Sequence, residues 1–175
     1  MKYLITATLE VLAIYGYNAL YKKIDENRNR NLTLASIWNT TPKIDINNLQ
    51  HLQLKEKIDL NILTYIEDVE KISIKDKIFR NPDIKISDVA NKLNIPKSHI
   101  SYLFKYHSNI SFSEYKKTIR IQDAIKLIDE DYLKENTLES LSKKIGFTSY
   151  NPFFTSFKEF TGTSPIEYYK ADKEY

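Results

Sequence analysis

Apolar residues recur in the middle of this chain at steps of four and three: Leu54, Ile58, Ile62, Ile66 and Val69. Lys55, Lys57, Glu67, Asp68 and Glu70 fall largely off that stripe. This spacing turns one face of a helix inward and predicts an amphipathic helix over 53–74. Such a face either seals a hydrophobic core or meets a second copy of the chain. Upstream, Leu4 to Leu20 is a mostly apolar run interrupted by Glu10 and Asn18. A membrane span needs about 20 apolar residues, and an acidic residue near mid-helix costs about 2.5–3.5 kcal/mol on insertion scales. Residues 1–21 therefore read as either a membrane span or a packing helix. Residues 22–52 are polar and Asn-rich, break at Asn39-Thr40-Thr41-Pro42, and read as a linker with one short helix at Leu32 to Trp38.

Beyond residue 75 the pattern changes to short helices separated by turns. Pro82 cannot continue a helix, so a new one is expected from Ser87 to Asn94, with Ile95-Pro96 as the turn after it. The next helix, Lys97 to His107, places Ile100, Leu103 and Phe104 inward and leaves Lys97, Ser98, Ser101, Tyr102 and Lys105 outward. A long helix from Ser113 to Asp129 carries the stripe Tyr115, Ile119, Ala124, Ile125 and Ile128. Thr137 has the hydroxyl to cap the helix that follows, and Gly146 suits the left-handed conformation at its end. A last exposed helix starts near Ser149, with Phe153, Phe157 and Phe160 inward and Tyr150, Asn151, Thr155 and Lys158 outward.

The two short-helix regions are copies of one another. Phe104-Lys105, Ser111 and Glu114-Tyr115 reappear 53 residues later as Phe157-Lys158, Ser164 and Glu167-Tyr168. Upstream of each copy the frame Ile86, Val89, Ala90, Leu93, Ile95 is answered by Leu138, Leu141, Ser142, Ile145, Phe147 at an offset of 52. The expected fold is all-α: two helix-turn-helix units over 75–175, joined by a long linker helix and preceded by N-terminal helices. Repetition of a turn before an exposed helix is the arrangement of a double DNA reader.

Composition narrows the chemistry. The chain has no cysteine, so it offers no disulfide, thiolate nucleophile or thiolate zinc site. His51, His99 and His107 lie in separate segments, and there is no glycine-rich phosphate loop, so no catalytic or metal-binding constellation and no cofactor site is expected. The formal net charge is +3, and the surplus falls in the repeated half, a weak pointer to a polyanion.

Residues 79–170 resemble the DNA-binding domain of AraC/XylS-type bacterial transcription regulators. The matching residues include Asn81-Pro82-Asp83-Ile84, Val89-Ala90, Ile100 with Leu103-Phe104-Lys105, Glu114-Tyr115, Arg120 and Ala124. The most specific block is Ile145-Gly146-Phe147, Phe153, Phe157-Lys158, Thr161-Gly162-Thr163-Ser164-Pro165 and Tyr168. The resemblance implies a cytoplasmic DNA-binding part whose two helix-turn-helix units enter successive major-groove segments of double-stranded DNA. Ile14-Tyr15-Gly16-Tyr17 through Leu20-Tyr21-Lys22 looks like the last membrane helix of regulators with a membrane sensor, which implies inner-membrane attachment.

Carried over by position, the base-reading residues are Ser98, Ser101 and Tyr102 on the first exposed helix and Tyr150, Asn151 and Thr155 on the second. None is Arg or Gln, so readout of G·C pairs is expected to be weak and A·T-rich sequence preferred. Lys97, His99, Lys105, Lys116, Ser149 and Lys158 are the candidates for phosphate contacts; for each lysine plain solvation is the competing reading, and for His99 a place at the helix edge. A homodimer, a membrane and RNA polymerase remain open as partners. The rival function is a helical protein-interaction or membrane-proximal adaptor module without DNA binding.

Overall fold

The structure is a computed structural model that describes residues 37–39, 55 and 57–173. The membrane-or-packing run at 1–21 and Leu54 lie outside those residues. Among the described residues the fold is all helical, apart from an isolated antiparallel bridge between Trp38 and Ser108. From residue 62 onward seven α-helices follow in order: α1 (Ile62–Ile74), α2 (Ile86–Leu93), α3 (Lys97–Tyr106), α4 (Phe112–Asp129), α5 (Leu138–Lys144), α6 (Tyr150–Thr161) and α7 (Pro165–Lys173). None of the described helices is long and apolar enough to cross a membrane.

The stripe Ile58, Ile62, Ile66 and Val69 is buried, but the helix that carries it is interrupted by a turn at Leu60-Asn61 before α1 begins. After α1, a short 3₁₀ turn at Ile78–Arg80 leads into the first helix-turn-helix unit. α2 starts where the Asp88 carboxylate accepts the Lys85 backbone N–H at 2.8 Å, satisfying one of the amides a helix start leaves free. It stops at Asn94, which adopts the left-handed conformation (φ 54°) and turns the chain toward Pro96 and α3. In the second unit Thr137 accepts the Ser140 N–H at 3.1 Å to begin α5, and Gly146 at φ 93° ends it. Pro152 lies in the first turn of α6, where its missing N–H leaves no helical bond unmade.

The sequence repeat has a direct structural meaning. Ser111 and Ser164 each open a capping box. Ser111 Oγ accepts from Glu114 N at 3.2 Å while Ser111 N donates to Glu114 Oε2 at 2.8 Å; the corresponding distances at Ser164 and Glu167 are 3.3 and 2.8 Å. These hydrogen bonds hold both glutamates below the usual carboxylate range. Behind each box a Phe–Tyr pair closes the corner edge to face: Phe104 to Tyr115 at 5.3 Å and Phe157 to Tyr168 at 5.6 Å between ring centroids.

The interior divides into two cores. One contains Ile66, Val69, Phe79, Val89, Ile100, Leu103, Phe104 and Tyr115 and ends along α4 at Ile119. The other begins at Ile121 and gathers Ile125, Ile128, Leu141, Ile145, Phe153, Phe157 and Tyr168. The 18-residue α4 thus contributes its first half to one unit and its second half to the other; at 1.5 Å per residue it is about 27 Å long.

Residues 37–39 depart from the expected linker and helix. Ile37 and Trp38 are buried in the first core, and the segment runs extended along the end of α3. Asn39 N donates to His107 O and Asn109 N donates to Ile37 O, both at 2.8 Å. The Trp38 indole packs 5.3 Å from Phe104 and 5.4 Å from Tyr115 and donates its Nε1–H to Glu70 at 2.9 Å. Burial of the large ring outweighs the polar neighbourhood from which a linker was read.

Candidate nucleic-acid interface

The second helix of each unit carries the polar face expected of a groove reader. On α3, Lys97, Ser98 and Lys105 are exposed and Ser101 is half-buried. On α6, Asn151, Thr155 and Lys158 are exposed, as is Ser149 just before it, and Tyr150 is half-buried. Among the described residues, Lys97, Lys105 and Lys158 have no carboxylate within ion-pair distance, so their charges face solvent rather than a protein partner. Lys105 Nζ lies 4.9 Å from the Tyr106 ring centroid, a contact worth about 0.5–1 kcal/mol at an exposed site, which leaves the ammonium available.

Two of the sequence-predicted residues are turned elsewhere. Tyr102 is only 5% exposed, with its ring against Tyr106 at 4.6 Å and His107 at 5.7 Å. Burial and the nearby Asp59 carboxylate push its hydroxyl pKa up. It cannot serve as a base reader in this arrangement. His99 faces α1 instead of a phosphate: its Nδ1 is 3.1 Å from the Tyr65 hydroxyl and its ring stacks obliquely on Tyr65. Burial, with Lys57 nearby, pushes its pKa down, which disfavours the charged form that would bind a phosphate. Both corrections have one cause. Residues 57–65 cover the side of α3 that a lone helix-turn-helix would leave open.

Lys116 lies on neither reading helix. It is half-buried on α4, its pKa lowered by burial and by the charge of Arg120, with Asp83 acting in the opposite direction. Phe160, assigned inward, is half-buried against the second core.

One residue of the α6 face was missed. Phe154 is half-buried, 5.8 Å from the Tyr150 ring. It sits four residues after Tyr150 and four before Lys158, on the row between Asn151 and Thr155. That i, i+4 spacing was a usable signal, but the reading of the helix's two faces left Phe154 unassigned.

A family model described as a helix-turn-helix domain, of AraC type, matches residues 89–171. Those residues are an AraC-type helix-turn-helix domain. The chain is similar to the Msm operon regulatory protein of Streptococcus mutans, 28% identical over 87 residues, which is 50% of this chain and 30% of that protein. It is also similar to the raffinose operon transcriptional regulatory protein RafR of Pediococcus pentosaceus, 29% identical over 86 residues, 49% of this chain and 30% of that one. The chain thus matches under a third of the length of either relative. Among solved structures, ToxT from Vibrio cholerae superposes with a TM-score of 0.50 at 20% identity, over 73% of this chain and 51% of that one; this likeness concerns the fold. The AraC-type domain is a DNA-binding domain of transcription regulators, not an enzyme fold.

Proposed function

We propose that this protein regulates transcription by placing α3 and α6 in successive major-groove segments of A·T-rich double-stranded DNA. The observation that carries this reading is the pair of matched units, each presenting on its second helix exposed lysine and small polar side chains, Lys97, Ser98 and Lys105 on α3 and Asn151, Thr155 and Lys158 on α6, over a buried aromatic core. Lys97 and Lys105 on α3, and Lys158 with the free amides at the start of α6, contact phosphates and fix the register. Asn151 pairs with adenine through its amide, Tyr150 and Thr155 flank it, and the half-buried Phe154 lies against thymine methyls. Ser98 and Ser101 make the fewer contacts of α3. An α4 of about 27 Å suits two readers roughly one helical turn of DNA apart, about 34 Å.

The test is binding to a labelled A·T-rich duplex titrated with salt. Because bound lysines release condensed counterions, log K falls linearly with log salt, and Lys105→Ala or Lys158→Ala each flattens the slope by about one unit without changing sequence preference. Affinity that does not respond to salt would reject DNA binding in favour of a protein-interaction module.

A further inference from the structure

Arg120 lies between the two cores. Its neighbours in sequence diverge, Ile119 into the first core and Ile121 into the second, while Arg120 itself is only 6% exposed. Its guanidinium has no carboxylate partner within ion-pair distance among the described residues. It is bound instead by backbone carbonyls of the turn that leads into the first unit: Nε donates to Phe79 O at 2.8 Å, and Nη2 donates to Asn81 O at 2.8 Å and Pro82 O at 3.3 Å. On its other side it stacks on the Phe147 ring, 5.6 Å from the centroid, and Phe147 belongs to the turn of the second unit. One side chain therefore holds the lead-in of one unit and the turn of the other.

The adjoining contacts have the same character. A Cβ on Gly146 would lie 2.6 Å from Arg80 O and 2.7 Å from Phe79 O. The backbone of the second unit's turn thus packs directly on the backbone of the first unit's lead-in, and no other residue fits there. A few residues along α4, Asp123 accepts from Lys77 Nζ at 2.6 Å and from Arg80 Nε at 2.7 Å, tying the same lead-in to the second half of the helix. The units are docked on each other and are not merely connected by α4.

We propose that Arg120, held between the Phe79–Pro82 carbonyls and the Phe147 ring, is a positioning residue that locks the rotation of one helix-turn-helix unit against the other and so sets the spacing of the two DNA segments the protein accepts. The inference rests on the two-reader function proposed above. A buried charge held by three carbonyls and a ring is directional, unlike an apolar contact, which tolerates sliding. Arg120 meets the first core's Phe79 only at its backbone carbonyl and the second core's Phe147 only at the ring face, so its replacement leaves the packing within each core in place and frees the relation between them.

The test has two arms that fail separately. In the first, the chain's lack of cysteine allows spin labels at exposed Asn91→Cys on α2 and Lys143→Cys on α5. The distance distribution, measured without DNA, is narrow for the wild-type background and broad for Arg120→Met. In the second arm, the wild-type chain selects a duplex from a random-sequence pool, and binding is compared with the same duplex carrying one base pair inserted between its two protected segments, a shift of about 3.4 Å along the axis. Wild type loses about tenfold or more in affinity on insertion, whereas Arg120→Met loses about threefold or less. Arg120→Lys, which keeps the charge but not the forked hydrogen bonds, gives intermediate values in both arms. A wild-type distance distribution or a wild-type spacing preference in Arg120→Met overturns the proposal. If Arg120→Met does not fold, wild-type behaviour of Arg120→Lys overturns it, and so does global unfolding of Arg120→Lys. A wild-type chain that selects no duplex sinks the two-reader function instead, while the distance arm still decides whether the lock exists.

Discussion

The two helix-turn-helix units share a frame but are closed in different ways. At the exit of α6 the second unit closes on itself: the Thr161 hydroxyl donates to Phe157 O at 2.8 Å and accepts from Thr163 N at 3.3 Å, and Gly162 turns the chain at φ 82°. At the exit of α3 the first unit borrows its closure from distant sequence. Residues 37–39 pair with His107 and Asn109, the His107 Nδ1–H donates to Asn39 O at 2.9 Å, and Trp38 fills the space behind Phe104. The consequence reaches the interface. The first unit surrenders Tyr102 and His99 to packing and keeps a narrow polar face, whereas α6 retains Tyr150, Asn151, Phe154, Thr155 and Lys158. Sequence discrimination on this reading belongs mainly to the second unit, and integration with the rest of the chain to the first.

The sharpest way to break the comparison is Phe157→Ala. The side chain is fully buried, and its removal costs the second unit about 3–5 kcal/mol. Trp38, the chain's one tryptophan, reports the first core alone, so in a urea titration followed by both fluorescence and circular dichroism the two transitions separate. Coincident transitions would show that the cores do not act independently. Trp38→Ala tests the other side, costing the first unit about 3 kcal/mol; amide exchange then quickens in α3 and α1 but not in α5 or α6. Protection lost evenly over both units would contradict a strap local to the first.

Smaller effects concern recognition. Asn151→Ala costs about 1–3 kcal/mol on the selected duplex and little on random DNA, whereas Ser98→Ala costs less than about 1 kcal/mol. Equal losses from the two would remove the asymmetry between the reading helices. Acid probes the seam between the units. Burial alone would push the Asp123 carboxyl up, but hydrogen bonds from Arg80 and Lys77 more than offset it and hold its pKa below the ordinary value of 3.8. Its stabilisation is therefore complete above pH 3.8, where the unfolded chain is also ionised, and is lost as the pH falls through the lower folded pKa. Asp123→Asn flattens that acid limb in thermal melts; an unchanged acid limb would show that the carboxylate contributes nothing. Least of all is expected from Tyr102→Phe, which leaves DNA affinity unchanged because the hydroxyl is turned away from the groove. A measurable loss on the selected duplex would restore Tyr102 to the reading face.

Local pattern made much of this fold legible. The inward rows of α3, α4 and α6, the Thr137 cap and the Gly146 turn all depend on residues within a few positions of one another, and the repeat displays such a local pattern twice. Tyr102 shows where that stops. From Ser98 it is one helical turn away and looks equally exposed, and only the approach of residues 57–65 across α3 decides otherwise. Trp38 was obscured by its polar neighbours for the same reason, since its partners Glu70, Phe104 and Tyr115 are more than thirty residues distant. Arg120 did leave a trace, a charge between two buried isoleucines, but which carbonyls it would meet depended on how two cores dock.

The paired capping boxes bear on how the chain folds. Each is completed within four residues, Ser111 to Glu114 and Ser164 to Glu167, so the elbow that follows each reading helix can form from local encounters, before any long-range contact exists. Closing even a ten-residue loop takes only about 10–100 ns. The Trp38 strap is the opposite case, spanning some seventy residues to reach His107, and loop-closure entropy makes such contacts late. Both elbows therefore form from local sequence, while closure of the first unit adds a contact of high sequence separation that the second does not need.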